Sequence, residues 1–267
     1  MIKVNDLQGT SMNLRVLGCS GGIGQGLHTS SYMIDDDILL DAGTGVGDLS
    51  LQEMHQLKHV FVTHSHMDHI LSIPLLVDTL FAELQEQPLL VYARAETIKI
   101  LKEHVFNWQI WPDFTELPNK ESPAMQFIEM NPGDEVVVGD RRIEMVNVNH
   151  TVPASAYIVE SKNKIFAYSG DTTTNDNLWE RLNKCARLDF MIIETAFAEE
   201  EIELAKLAKH YCPSLLAKDL KKLKHKAIIG VSHLKPGDEE HIFQQCCNEV
   251  KSEHELRHLA SHDKFQI

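Results

Sequence analysis

The chain has 267 residues, 43% of them hydrophobic, and carries 39 acidic against 25 basic side chains for a formal charge of −14. That length and apolar content allow one large α/β core, so a single domain over residues 1–267 is expected. The acidic balance disfavours a non-specific nucleic-acid coat, and no apolar run approaches the roughly 20 residues that span a bilayer. Met1 to Met12 lacks the basic, apolar and small-residue succession of a secretory signal. Cys19, Cys185, Cys212, Cys246 and Cys247 are odd in number and never spaced as a CxxC pair, which suggests neither a disulfide framework nor a thiolate zinc site. A reducing cytoplasm is the expected location.

In chain order, short apolar runs ending in Gly, Asp or His predict strands at Leu14 to Leu17, Ser31 to Ile34, Ile38 to Leu40 and Val60 to Val62. A helix is predicted from about His69 to Leu84, a strand at Leu89 to Tyr92 and a helix from Glu96 to Phe106. The second half repeats the style, with strands at Val136 to Val138, Ile143 to Val148, Ala156 to Val159, Ile165 to Tyr168, Phe190 to Ile193 and Ala227 to Val231. Its predicted helices cover Asn177 to Leu182, Glu201 to Lys209, Pro213 to Leu223 and Glu239 to Val250, with Pro213 suited to a first helical turn. Strand-rich halves with interspersed helices predict an α/β fold in four layers, an αββα sandwich.

Chemistry concentrates in Thr63-His64-Ser65-His66-Met67-Asp68-His69, where an apolar strand ends and a helix is about to begin. In extended backbone, residues two apart face the same side, so His64 and His66 can present both imidazoles to one ion. As the chain turns into the helix, Asp68 and His69 can reach a second. Nitrogen and carboxylate donors without thiolate suit zinc, and also iron or manganese. Four ligands do not complete two coordination spheres, and His150, Asp171 and His233 each follow a later predicted strand. A lone His or Asp is more often structural than ligating; it is the ordered set that carries the signal.

These residues resemble the metallo-β-lactamase superfamily, whose pattern is HxHxDH followed by single His, Asp and His residues in that order. The resemblance implies that His64, His66 and His150 hold one metal, that Asp68, His69 and His233 hold the other, and that Asp171 bridges them. Leu39-Leu40-Asp41-Ala42-Gly43 is similar to the family's early strand-end motif, with Asp41 expected to orient a ligand histidine by accepting its other N–H. Two divalent ions, most simply zinc, would activate water and neutralise charge on a reacting group, which suits a phosphodiester but also an amide, lactone or thioester.

Leu17 to Gly24, Asp41 to Gly45, Ser169 to Thr172 and Ser232 to Gly237 together resemble the phosphodiesterase branch, and within it the bacterial class II 3′,5′-cyclic-nucleotide enzymes. Two departures separate the chain from tRNase Z. Ile193 stands where that family's HEAT-like motif would place a histidine, and His150 and Asp171 are only 21 positions apart, which leaves no room for a tRNA-gripping arm. The expected substrate is therefore a small anionic phosphodiester such as cyclic AMP or cyclic GMP, with no membrane partner, no long nucleic acid, and a homodimer by analogy. A tRNase Z-like or other nucleic-acid phosphodiesterase, a carbonyl hydrolase and a di-iron sensor are the competing readings.

Asp68 and Glu194 are the candidates for catalytic work beyond coordination, Glu194 by orienting a ligand or shuttling a proton. Ser20, Gly21 and Gly22 offer backbone N–H groups to an anion. Trp108 and Trp111 could stack on a base, although lid packing explains them equally well. Lys235 is a candidate phosphate contact, against a plain surface salt bridge.

Overall fold

The computed structural model describes residues 12–251 and 254–267, and within them the apolar segments assemble into two seven-stranded sheets. The first begins with β1 (Asn13–Gly18), β2 (Ser31–Ile34), β3 (Ile38–Leu40), β4 (His59–Phe61), β5 (Leu89–Ala93) and β6 (Met125–Glu129). The second holds β7 (Glu135–Val138), β8 (Arg141–Val148), β9 (Ala154–Ser161), β10 (Lys164–Tyr168), β11 (Phe190–Glu194), β12 (Ile228–Ser232) and β13 (Glu255–His258). The last strand, β14 (Lys264–Gln266), returns to the first sheet and pairs antiparallel with β1. Strands β3 to β6 run parallel in the first sheet, and β10 to β13 in the second. Because β8 and β9, and then β9 and β10, pair antiparallel, β8 points the same way as β10. The loops after β8, β10, β11 and β12 therefore leave from one rim.

Alternation along each strand decides which sheet face meets what. In β11, Phe190 and Ile192 turn inward to the layer shared by both sheets, where they join Leu14, Val16, Phe61, Tyr92, Met145, Tyr157 and Phe166. Met191 and Ile193 turn outward. There they pack, with Ile229 and Val231, on Leu178 and Trp179 of α6 (Asn177–Leu182), Leu216 of α8 (Pro213–Leu220) and Ile242 of α9 (Glu239–Val250). On the first sheet, Leu39, Val60 and Val91 meet Ile73 and Val77 of α3 (Ser72–Thr79) and Leu101 of α5 (Ala95–His104). Each fully buried side chain of this size contributes roughly 1.5–3 kcal/mol. The four layers are helix, sheet, sheet and helix.

Of the remaining helices, α1 (Leu51–Met54) follows the first strands, and α7 (Ile202–Ala208) precedes α8. The single helix expected over residues 69–84 is instead three short ones, α2 (Met67–Ile70), α3 and α4 (Phe81–Leu84). Pro74 explains the first break, because it has no N–H to bond the carbonyl of Ile70. Strands β6, β13 and β14 were not expected. They are short, lie at or next to sheet edges, and alternate polar with apolar residues too briefly to stand out.

Candidate metal centre

The strand-to-helix passage after β4 has the local geometry its sequence calls for. His66 keeps extended backbone at the N-cap of α2, while Asp68 and His69 already lie in the helix. The rims of both sheets meet here. His64, His66, His150 and Asp171 form one group and Asp68, His69, Asp171 and His233 a second, each with its ligand-type atoms within 4.8 Å of one another. Asp171 belongs to both. Its Oδ2 lies 3.7 Å from His64 Nε2 and 4.0 Å from His150 Nε2, and its Oδ1 lies 3.3 Å from both His69 Nε2 and His233 Nδ1.

Outer contacts fix which nitrogen three of the rings turn inward. Asp41, wholly buried, accepts the Nδ1–H of His69 at 2.6 Å, which turns His69 Nε2 toward the group. Asp41 also accepts the Thr63 hydroxyl at 2.8 Å, so that hydroxyl's oxygen is free to accept the Nδ1–H of His64 at 2.9 Å. His150 donates its Nδ1–H to the Lys209 carbonyl at 3.0 Å. Its Nε2 then sits 3.2 Å from His66 Nδ1, so the two ring nitrogens meet in the first group.

The charge and hydrogen-bond state of these groups tests whether cations fit. His64 Nε2 and His69 Nε2 are buried with no hydrogen-bond partner, an expense that polar atoms seldom bear without a ligand. Burial pushes His150 down to about 4 and lowers His233, both in the direction of the neutral ring that binds metal. Burial would raise Asp171, but His233 and His69 hold it well below the usual carboxylate range. For His69 burial is likewise outweighed, here by Asp171 and Asp41, and its titration moves well above the imidazole range. Clustered carboxylates thus draw positive charge into the pocket, and divalent cations would supply it. The residues fit two such ions.

Glu194, the last residue of β11, is not at the front of the site. Its Oε1 accepts the Thr172 N–H at 3.0 Å and the His210 Nδ1–H at 2.8 Å, while Oε2 accepts from Ala196 at 3.1 Å and Tyr211 at 3.2 Å. All four of these bonds engage it, and one of them reaches His210. That ring stacks on His233 at 5.3 Å between centroids and meets His150 edge-on at 4.9 Å. Sequence reasoning missed His210. It lies in a loop between α7 and α8 with no periodic pattern, and the only signal is a glutamate sixteen positions earlier at a strand end.

The turn of Ser20, Gly21 and Gly22, expected to offer N–H groups to an anion, spends two of them within the protein. The Ser20 N–H donates to His28 O and the Gly21 N–H to Leu234 O, both at 2.9 Å, so these donors are consumed within the backbone. A Cβ on Gly21 would stand 2.4 Å from His233 O, and one on Gly22 would stand 2.9 Å from the Pro236 ring. The glycines permit a close approach that braces the His233 loop. Lys235 belongs to the same brace, with Nζ donating to Gly21 O at 2.9 Å and lying 5.7 Å from the Phe197 ring. Trp108 projects largely into solvent, whereas Trp111 lines an apolar cleft of about 290 Å³ with Met67, Ile70, Leu71 and Ile110.

Two histidine-aspartate groups sharing one carboxylate, at the rim of an αββα sandwich, define a metallo-β-lactamase-fold protein built to hold metal. The chain belongs to the beta-lactamase superfamily, whose domain matches residues 37–251. It is 26% identical to a probable 3′,5′-cyclic-nucleotide phosphodiesterase of Yersinia pestis, across 90% of this chain and 82% of that one. It is also 27% identical to a ribonuclease Z of Pyrococcus abyssi, but over 48% of this chain and 39% of that one. Among solved structures, unliganded yeast PDE1 is similar in fold, with a TM-score of 0.82 at 16% identity over 96% of this chain and 99% of that one.

Proposed function

We propose that this chain is a two-metal phosphodiesterase that opens a 3′,5′-cyclic nucleotide, cyclic AMP or cyclic GMP, to the 5′-monophosphate. The observation that carries the reading is Asp171, whose two oxygens face two separate ligand groups with His210 stacked at their side. His64, His66 and His150 would hold one cation and Asp68, His69 and His233 the other, with zinc matching the donor set. Such a pair, when bound, supplies Lewis acidity that activates water and offsets charge on phosphoryl oxygens. The similarity to the Yersinia protein spans most of both chains and supports a small substrate. So does the stretch between His150 and Asp171, which is largely taken up by paired β9 and β10 and carries no protruding arm.

His210 is the proposed proton donor to the departing 3′ oxygen. Its Nδ1–H is committed to Glu194, which leaves the other ring nitrogen for the substrate side. Trp111, in its apolar cleft beside Met67, is the proposed wall for the base. A homodimer belongs to the same proposal by analogy with similar folds, and a reducing cytoplasm suits the five free thiols.

Incubating the zinc-loaded protein with cyclic AMP and cyclic GMP, and resolving products by chromatography, should yield the 5′-monophosphate of at least one. Cleavage of bis-p-nitrophenyl phosphate with both cyclic nucleotides left intact would remove the substrate assignment and keep the phosphodiesterase. His210→Ala should lower kcat by about 10²–10⁴, the usual worth of a positioned proton donor, with little change in KM. A variant with undiminished kcat would take His210 out of the reaction.

A further inference from the structure

The segment Lys209-His210-Tyr211 touches the candidate site at three places, and its first residue has no part in the function proposed so far. Lys209 caps the C-terminus of α7 in the left-handed region, at φ 54° and ψ 50°. Glycine is the ordinary occupant of such a position, because a Cβ there is strained. The lysine makes use of its side chain. Its Nζ donates to the His150 carbonyl at 3.0 Å, while its own carbonyl accepts the His150 Nδ1–H, also at 3.0 Å. The two bonds form a closed loop between one residue's backbone and side chain and the other's.

The far end of the segment is equally fixed. The Tyr211 hydroxyl donates to buried Asp219 at 2.8 Å, and the same carboxylate oxygen accepts the Trp179 Nε1–H at 3.1 Å and the Asn175 N–H at 3.2 Å. The strap is therefore anchored to the helical layer at Tyr211, and it grips His150 at Lys209.

We infer that Lys209 is a positioning residue, a latch that holds His150 with Nε2 turned toward the first metal group through its reciprocal bonds to that histidine's backbone and ring. The inference rests on the two-ion reading above. Its physical basis is that the carbonyl alone fixes the ring's tautomer but leaves the His150 backbone free to shift, whereas the ammonium ties that backbone to the same strap. Loss of the ammonium should loosen the ion held by His64, His66 and His150 and leave the ion held by Asp68, His69 and His233 in place.

The test is zinc release from the loaded protein to the colorimetric chelator 4-(2-pyridylazo)resorcinol, in wild type, Lys209→Met, Lys209→Arg and Lys209→Gly. Partners outside the ligand sphere typically change metal affinity 10–100-fold. Lys209→Met should release one of two ions about tenfold faster, the lower end of that range because the carbonyl remains. Lys209→Arg should restore slow release. Lys209→Gly should release one ion as fast as the methionine variant, yet melt at a higher temperature than wild type when metal-free, since glycine relieves the left-handed strain. That opposition separates positioning from simple stability. Two ions leaving Lys209→Met at the wild-type rate, or both accelerated equally, would overturn the latch. A wild-type protein that holds fewer than two ions would overturn the two-ion reading itself, and the latch with it.

Discussion

Four donors converge on the carboxylate of Asp41: the Thr63 N–H at 2.7 Å, the Thr63 hydroxyl at 2.8 Å, the Tyr168 hydroxyl at 2.8 Å and the His69 Nδ1–H at 2.6 Å. It stands at φ 56°, a conformation that costs a non-glycine residue roughly 1–2 kcal/mol. One charge thereby orients His69 directly and His64 through a hydroxyl. Asp41→Asn keeps the shape but turns an acceptor into a donor facing other donors. Zinc affinity, measured by chelator competition, should fall by about 10–100-fold. Unchanged affinity would mean that the histidines hold their orientation without it. Asp41 and the seven ligand-type residues were legible because they stand just past strand ends or, for Asp68 and His69, in the helical turn that follows one, in a spacing that random sequence seldom produces. His210 and Lys209 were not, since their partners are set by how α7 ends and not by any repeat.

Short elements carry more of this molecule than their lengths suggest. Helix α1 has four residues and is held by a capping box, in which Ser50 N–H and Oγ–H donate to Glu53 at 2.8 and 2.7 Å and the Glu53 N–H returns to Ser50 Oγ at 3.3 Å. Arg15 of β1 pairs with the same carboxylate, fastening the helix to the first sheet. The Ser50 hydroxyl and N–H, and then Arg15, lower Glu53 from 4.5 to about 2. The folded carboxylate keeps its charge where the unfolded one has taken a proton. Its contribution is therefore complete above about pH 5 and is lost as the pH falls toward 2. Glu53→Gln should show a lower denaturation midpoint than wild type at pH 7, with the gap narrowing below about pH 4.5. A gap independent of pH would assign the effect to shape and not charge. Central strands such as β11 and β12 were readable from unbroken apolar runs, while β13, with Glu255, Arg257 and His258 largely exposed, gives no such run. Nor does sequence tell that Gly21 packs on the His233 carbonyl and Gly22 on the Pro236 ring, because those contacts depend on the loop that lands on them.

At the scale of the whole molecule, the αββα layering followed from element order, since strands buried on both faces must be covered by something. What did not follow was the pairing of the earliest strand with the latest. Residues 13–15 lie in register with 264–266, so β1 has β2 on one side and β14 on the other. During synthesis, β1 emerges with one flank matched almost at once and the other open until some 250 residues later. A bare strand flank is an invitation to neighbouring chains. Removing residues from Glu255 onward should therefore give a polypeptide that sediments as aggregate, and a truncated form that stays monodisperse would show that β1 tolerates its open side. Nascent copies on one messenger would share that hazard until Lys264 to Gln266 have been made and can pair with β1.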